Sequence, residues 1–123
     1  MQEIMRERKK SMYQDRVVLC ASNAYEKKYY INPDFSSLPS SIQDELKIMC
    51  VLFTEEVGGV LSLVFEEDGT LCFDVAANEE DLLFDEIGSA LKIKQLQQTK
   101  RELLESLEMF YKVFFLGEEW SEE

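Results

Sequence analysis

The plainest patterning in the chain is VLSLVFEEDGTLCFDV, residues 60–75. Leu61, Leu63 and Phe65 recur every second position, and so do Leu71, Phe73 and Val75. A period of two is the mark of half-buried strands. The turn between them can be placed by testing registers. A two-residue Asp68-Gly69 turn pairs Phe65 with Cys72 and Leu63 with Asp74, which sets a carboxylate on the apolar face. A loop of Glu67, Asp68 and Gly69 pairs Phe65 with Leu71, Leu63 with Phe73 and Leu61 with Val75. All six apolar side chains then share a face, with Gly69 at the left-handed position of a bulge. The second register is predicted, because the first buries a charge and exposes three large hydrophobes.

Helical spacing governs the segment before the hairpin. Ile42, Leu46, Met49, Cys50 and Phe53 fall on one stripe, and Ile48, Val51 and Leu52 widen it. Pro39 and Ser40 supply a helix start, and Gly58-Gly59 supplies a left-handed stop. The run IMCVLF, residues 48–53, fits a helix or a strand by periodicity, and the Gly-Gly stop favours the helix. Nearer the N-terminus, RVVLC reads as a short buried strand near 16–20. Asn23 with Glu26 three residues on is a capping-box pattern, so AYEKKYY is expected to form a short helix ended by Asn32-Pro33.

The stretch NEEDLLFDEIGSALKIKQLQQTKRELLESLEMFYKVFF, from Asn78 to Phe115, reads as helix almost throughout. Unbroken, it would span roughly 55 Å, against a radius of gyration of about 14 Å for a compact chain of this length. Gly88-Ser89 is the weak point, where a kink or break would let the two halves fold back. Beyond it, Ile93, Leu96, Lys100, Leu103, Leu107, Phe110 and Phe114 alternate by three and four, a seam like that of a coiled coil. The expected architecture is therefore α+β. A small antiparallel sheet is built on a hairpin at about 60–66 and 70–76, plus a short strand near 16–20. A helix near 40–57 and a long C-terminal helix near 79–116 pack against it. The 123 residues suit one domain, with 1–14 and 117–123 expected to be mobile ends.

Charge sharpens this picture. The net charge is −12, and no Lys or Arg occurs from Ile48 to Leu91. Nucleic acid and anionic membrane are disfavoured as partners, since both require clustered cations. No apolar run approaches the roughly 20 residues that cross a bilayer. Cys20, Cys50 and Cys72 show no paired spacing, which points to free thiols in a reducing cytoplasm.

Reaction chemistry is sparse. Histidine is absent, and with it the usual general base and the commonest metal ligand. Five glycines form neither a GxGxxG nor a Walker pattern. With Gly69 as the fixed glycine of a calcium loop, Val64 and Val75 fall on ligand positions, so the loop fails. No catalytic, cofactor-binding or metal residue is nominated, and the chain is read as a non-enzyme rather than an enzyme.

The fragments YEKKYYINPDFSSLP, IMCVLFTEEVGGVLSLVFEEDG and FYKVFFLGEE resemble a family of short acidic proteins from anaerobic Gram-positive bacteria, classed as a domain of unknown function. The resemblance implies a bacterial cytoplasmic protein and carries over no site residues. In layout alone the chain is similar to roadblock-type dimerisation modules and to small secretion chaperones. The expected function is an interaction or regulatory module. It would pair as a homodimer through Leu96, Leu103, Leu107, Phe110 and Phe114, with an acidic face for a basic protein partner. An alternative is a small-molecule binder or enzyme with a pocket at Tyr25, Tyr29, Tyr30 and Phe35, residues that could equally pack the core. A third reading is an acidic chaperone-like binder of a protein partner.

Overall fold

A computed structural model describes residues 16–118. In chain order its elements are β1 (Val17–Asn23), β2 (Lys28–Ile31), a 3-10 turn (Pro33–Phe35), α1 (Ser40–Val57), β3 (Val60–Phe65), β4 (Leu71–Ala76), α2 (Glu86–Thr99) and α3 (Arg101–Phe114). The four strands make one antiparallel sheet in the order β2-β1-β3-β4. The fold is α+β, and the run 48–53 is helical. The expected mobile ends at 1–14 and 117–123 lie outside the described residues, apart from 117 and 118.

The β3–β4 hairpin has the predicted register, with Phe65 opposite Leu71, Leu63 opposite Phe73 and Leu61 opposite Val75. Gly69 takes a φ of +94°, and its amide donates to the Glu66 carbonyl. A side chain there would also collide with the Lys112 stem, 2.8 Å from the ideal Cβ position. β1 crosses from β2 to β3 with an irregularity at Leu19, whose carbonyl accepts from the Asn32 amide.

Alternation sends Cys20, Ser22, Leu61, Leu63 and Phe65 to the helix-covered face, where all are buried. Val18 and Tyr30, on the reverse face, are exposed. The core also takes Leu46, Met49, Cys50 and Phe53 from α1 and Leu103, Leu104, Leu107 and Tyr111 from α3. Its aromatic centre stacks Phe65 on Tyr111, with ring centroids 4.1 Å apart, and Phe35 on Phe115 at 4.7 Å.

Two sequence expectations are corrected. Residues 24–30 form a turn and the strand β2 rather than a helix. Asn23 does make the cap-like bonds, its Oδ1 accepting from the amides of Tyr25 and Glu26. Lys27, at φ +55°, then reverses the chain, and Lys28–Ile31 pair with β1. A cap signal is local, whereas the free edge of β1 is a tertiary demand for a partner, and the pairing wins. The second correction is the rod. Helix begins at Glu86, where Asp85 accepts from the Gly88 amide at 2.9 Å, and it is interrupted at Lys100, with φ −111° and ψ 24°. Lys100 occupies a seam position where a continuous helix would carry an ammonium into the apolar stripe. The departure lets its Nζ reach Glu45 on α1 at 3.2 Å instead.

Candidate functional site

α1 is flanked on its two sides by different surroundings. Towards α2 it presents Glu45, Ile48, Leu52 and Glu56. Towards the β1–β2 turn it presents Lys47, Val51, Thr54 and Glu55.

The α2 side is apolar and open. Ile48 is 58% and Leu52 56% exposed, one helical turn apart on α1. On α2, Ile87 is 75% and Leu91 64% exposed, and Leu83 in the preceding loop is 94% exposed. Two shallow grooves run along this face, one holding Ile48, Leu52 and Leu96, the other Leu83 and Leu91, and they meet at Lys92. The Lys92 ammonium pairs with Glu56 at 3.0 Å, and Lys100 pairs with Glu45. Both lysines that line these grooves therefore have carboxylate partners on α1.

The seam residues expected for pairing are distributed differently. Leu103 and Leu107 are buried in the monomer's own core, at 8% and 2% exposure. Leu96 and Phe110 are half-buried against that core, and Phe114 is exposed beside Phe110. The break at Lys100 is the cause, because it turns the α3 stripe onto the sheet. The exposed apolar area lies instead on residues that the helical wheel alone assigns to the interior of a buried helix, Ile48 and Leu52, and on Ile87 and Leu91. The missed signal was the width of the apolar face on α1, since one sheet covers only one side of a helix.

The four residues of the expected aromatic pocket do not share a cavity. The Tyr25 hydroxyl donates to Asp81 Oδ2 at 2.6 Å and accepts from the Asn78 amide at 3.1 Å, tying the β1–β2 turn to the loop before α2. The Asp81 carboxylate holds this phenol above the ordinary tyrosine range. Tyr30 points to the reverse face, Phe35 lies in the core, and Tyr29 lines a cleft against α1. Burial, with the neighbouring Cys20 thiol, pushes the Tyr29 phenol up. The Cys20 and Cys50 sulfurs are 3.8 Å apart, both fully buried.

A second cleft, of about 590 Å³, lies between β4 and α2. Phe73, Val75 and Ile93 line it, and Glu79, Asp81 and Glu86 surround them. Among the described residues no group of three or more His, Cys, Asp or Glu is arranged to hold a metal ion. No helix among the described residues is long and apolar enough to cross a membrane.

These features define a small α+β domain with an unpartnered helical face. The chain belongs to the family of unknown function DUF6145, whose family model matches residues 16–119. No curated protein and no solved structure matches it.

Proposed function

We propose that this chain is a non-enzymatic interaction module that pairs with a second copy of itself across the outer face of α1 and α2. The observation that carries the reading is the exposure of Ile48, Leu52, Leu83, Ile87 and Leu91 on adjoining elements. Monomers rarely expose contiguous apolar patches beyond a few hundred Å² without using them.

A second copy is the occupant that the charges favour. Two chains of net charge −12 repel over most of their surfaces. Here the bordering lysines are matched by glutamates, so like faces can meet, and a two-fold axis would let Lys92 and Lys100 face carboxylates of either copy. Full burial of one Leu or Ile contributes about 1.5–3 kcal/mol. Ten such side chains across a symmetric pair can offset an association cost of about 4–15 kcal/mol. The acidic cleft between β4 and α2 supports a further reading, in which the pair holds a basic protein segment, its apolar stem on Phe73 and Val75 and its cation near Asp81. Three free cysteines, two of them in contact in the core, fit a cytoplasmic setting.

Light scattering over a wide concentration range tests the pairing. The wild type should show twice the chain mass. Leu52→Glu with Leu91→Glu should give a monomer with an unchanged circular dichroism spectrum. A wild type that stays monomeric at high concentration, or a doubly substituted chain that stays dimeric, overturns the reading.

A further inference from the structure

On the other side of α1, a cleft of about 640 Å³ opens between this helix and the β1–β2 turn. Lys27 from the turn and Lys47 from α1 border it, and Lys28 at the start of β2 contributes its edge, with its side chain on the face of Tyr30 by strand alternation. Arg16, Lys92 and Lys100 are all held by carboxylates, whereas these three have no ion-pair partner among the described residues. Glu55 is the only acid in the lining. In a chain of net charge −12, the unneutralised Lys27 and Lys47 beside one concavity are a local inversion of the field. Low-dielectric walls focus such a field onto whatever enters.

The interior of the cleft complements the mouth. Val51 and the Tyr29 ring supply apolar surface. Ser22 and Thr54 supply hydroxyls, bonded to each other at 2.8 Å. The Tyr29 hydroxyl is buried beneath the cleft beside the Cys20 thiol, while its ring lines the cleft.

We propose that this cleft binds a small organic phosphate, a phosphomonoester with a compact apolar or aromatic body. The Lys27 and Lys47 ammoniums meet the dianion as point charges, which suits phosphate. The body lies against Val51 and the Tyr29 ring. The volume falls within the roughly 300–1,000 Å³ typical of small-ligand sites. The site is separate from the apolar face on the far side of α1, so it stands or falls independently of self-association.

Phenyl phosphate is a suitable probe, with inorganic phosphate and phenol as its two halves, followed by NMR on the full chain. Phenyl phosphate should shift the amides of residues 27–29 and 47–54, and affinity should fall steeply with added salt. Lys27→Gln with Lys47→Gln should weaken binding at least tenfold, whereas Lys94→Gln on α2 should not change it. No shifts in this cleft, equal binding of phenol, or indifference to the Lys27 and Lys47 substitutions would overturn the proposal.

Discussion

α2 and α3 are both fourteen residues long and are joined at Lys100, yet they do opposite work. α3 gathers Leu103, Leu104, Leu107 and Tyr111 on one stripe and buries all four. Its Glu108 accepts from the Leu71 amide at 2.8 Å, pinning the helix to the start of β4. α2 distributes Ile87, Leu91, Ile93 and Leu96 around its cylinder. Only Ile93 and Leu96 pack partly on the core, and Ser89 is its sole fully buried residue. A helix apolar on two sides can satisfy only one of them within a single sheet layer. The other stays at the surface. α3 thus holds the fold together, while α2 displays a surface.

The largest expected effect separates those roles directly. Leu107→Ala should leave a cavity and cost about 2–5 kcal/mol of stability. Leu91→Ala, on an exposed position, should stay within about 0.5 kcal/mol. Denaturant titrations of both variants should be made at high dilution, because the proposed pairing would add its own concentration-dependent stability. Equal losses in the two would mean that α2 is as much a part of the core as α3.

A smaller effect is expected where α2 begins. Asp85 caps the helix through the Gly88 amide. Asp85→Ala should cost about 1 kcal/mol. The loss should show as faster hydrogen exchange over Ile87–Leu91, with the α3 amides unchanged. If α3 exchanges faster as well, the joint at Lys100 transmits strain and the two helices behave as one unit.

Legibility followed the same division. The β3–β4 hairpin was readable to the residue, because alternation, Gly69 and the cost of burying Asp74 all point to one register. α1 was readable to its ends through Ser40 and Gly58-Gly59. The rod was not, because helix propensity is indifferent to Asn78 or Asp85 as its start, and the two are distinguished only by the Tyr25 bridge and by Phe84 lying against Gly59. β2 was misread for a related reason: Asn23 makes identical local bonds at a helix start and in this turn, and only the edge of β1 decides. The pairing face expected along α3 was half inside the core because a single lysine, Lys100, diverts the helix. Of the expected pocket residues, Tyr29 alone lines a cleft, and its lysine neighbours drew no attention in a sequence dominated by acids.

The smallest expected effect concerns the tie between the β1–β2 turn and the lead into α2. Tyr25→Phe removes the donor to Asp81 and the acceptor for the Asn78 amide. Both groups lie at the surface, so the melting temperature should hardly move, while the Asn78 amide should exchange faster. Tyr25 has a pKa raised above the ordinary value of 10.0, chiefly by the hydrogen bond to Asp81. A phenol with a raised folded-state value contributes stability that is fully present below pH 10.0 and lost as pH rises through the folded value. In the wild type, alkaline ionisation removes the proton donated to Asp81 and sets phenolate against carboxylate, so the tie that positions Asn78 should loosen only in alkaline solution. In Tyr25→Phe, Asn78 protection should be low and should show no such alkaline step. Amides of α3 should follow neither trend, because α3 is held by core packing and by Glu108 rather than by the turn. Loss of α3 protection together with Asn78 would show that the displayed helix and the anchoring helix open as one, and the distinction between them would fail.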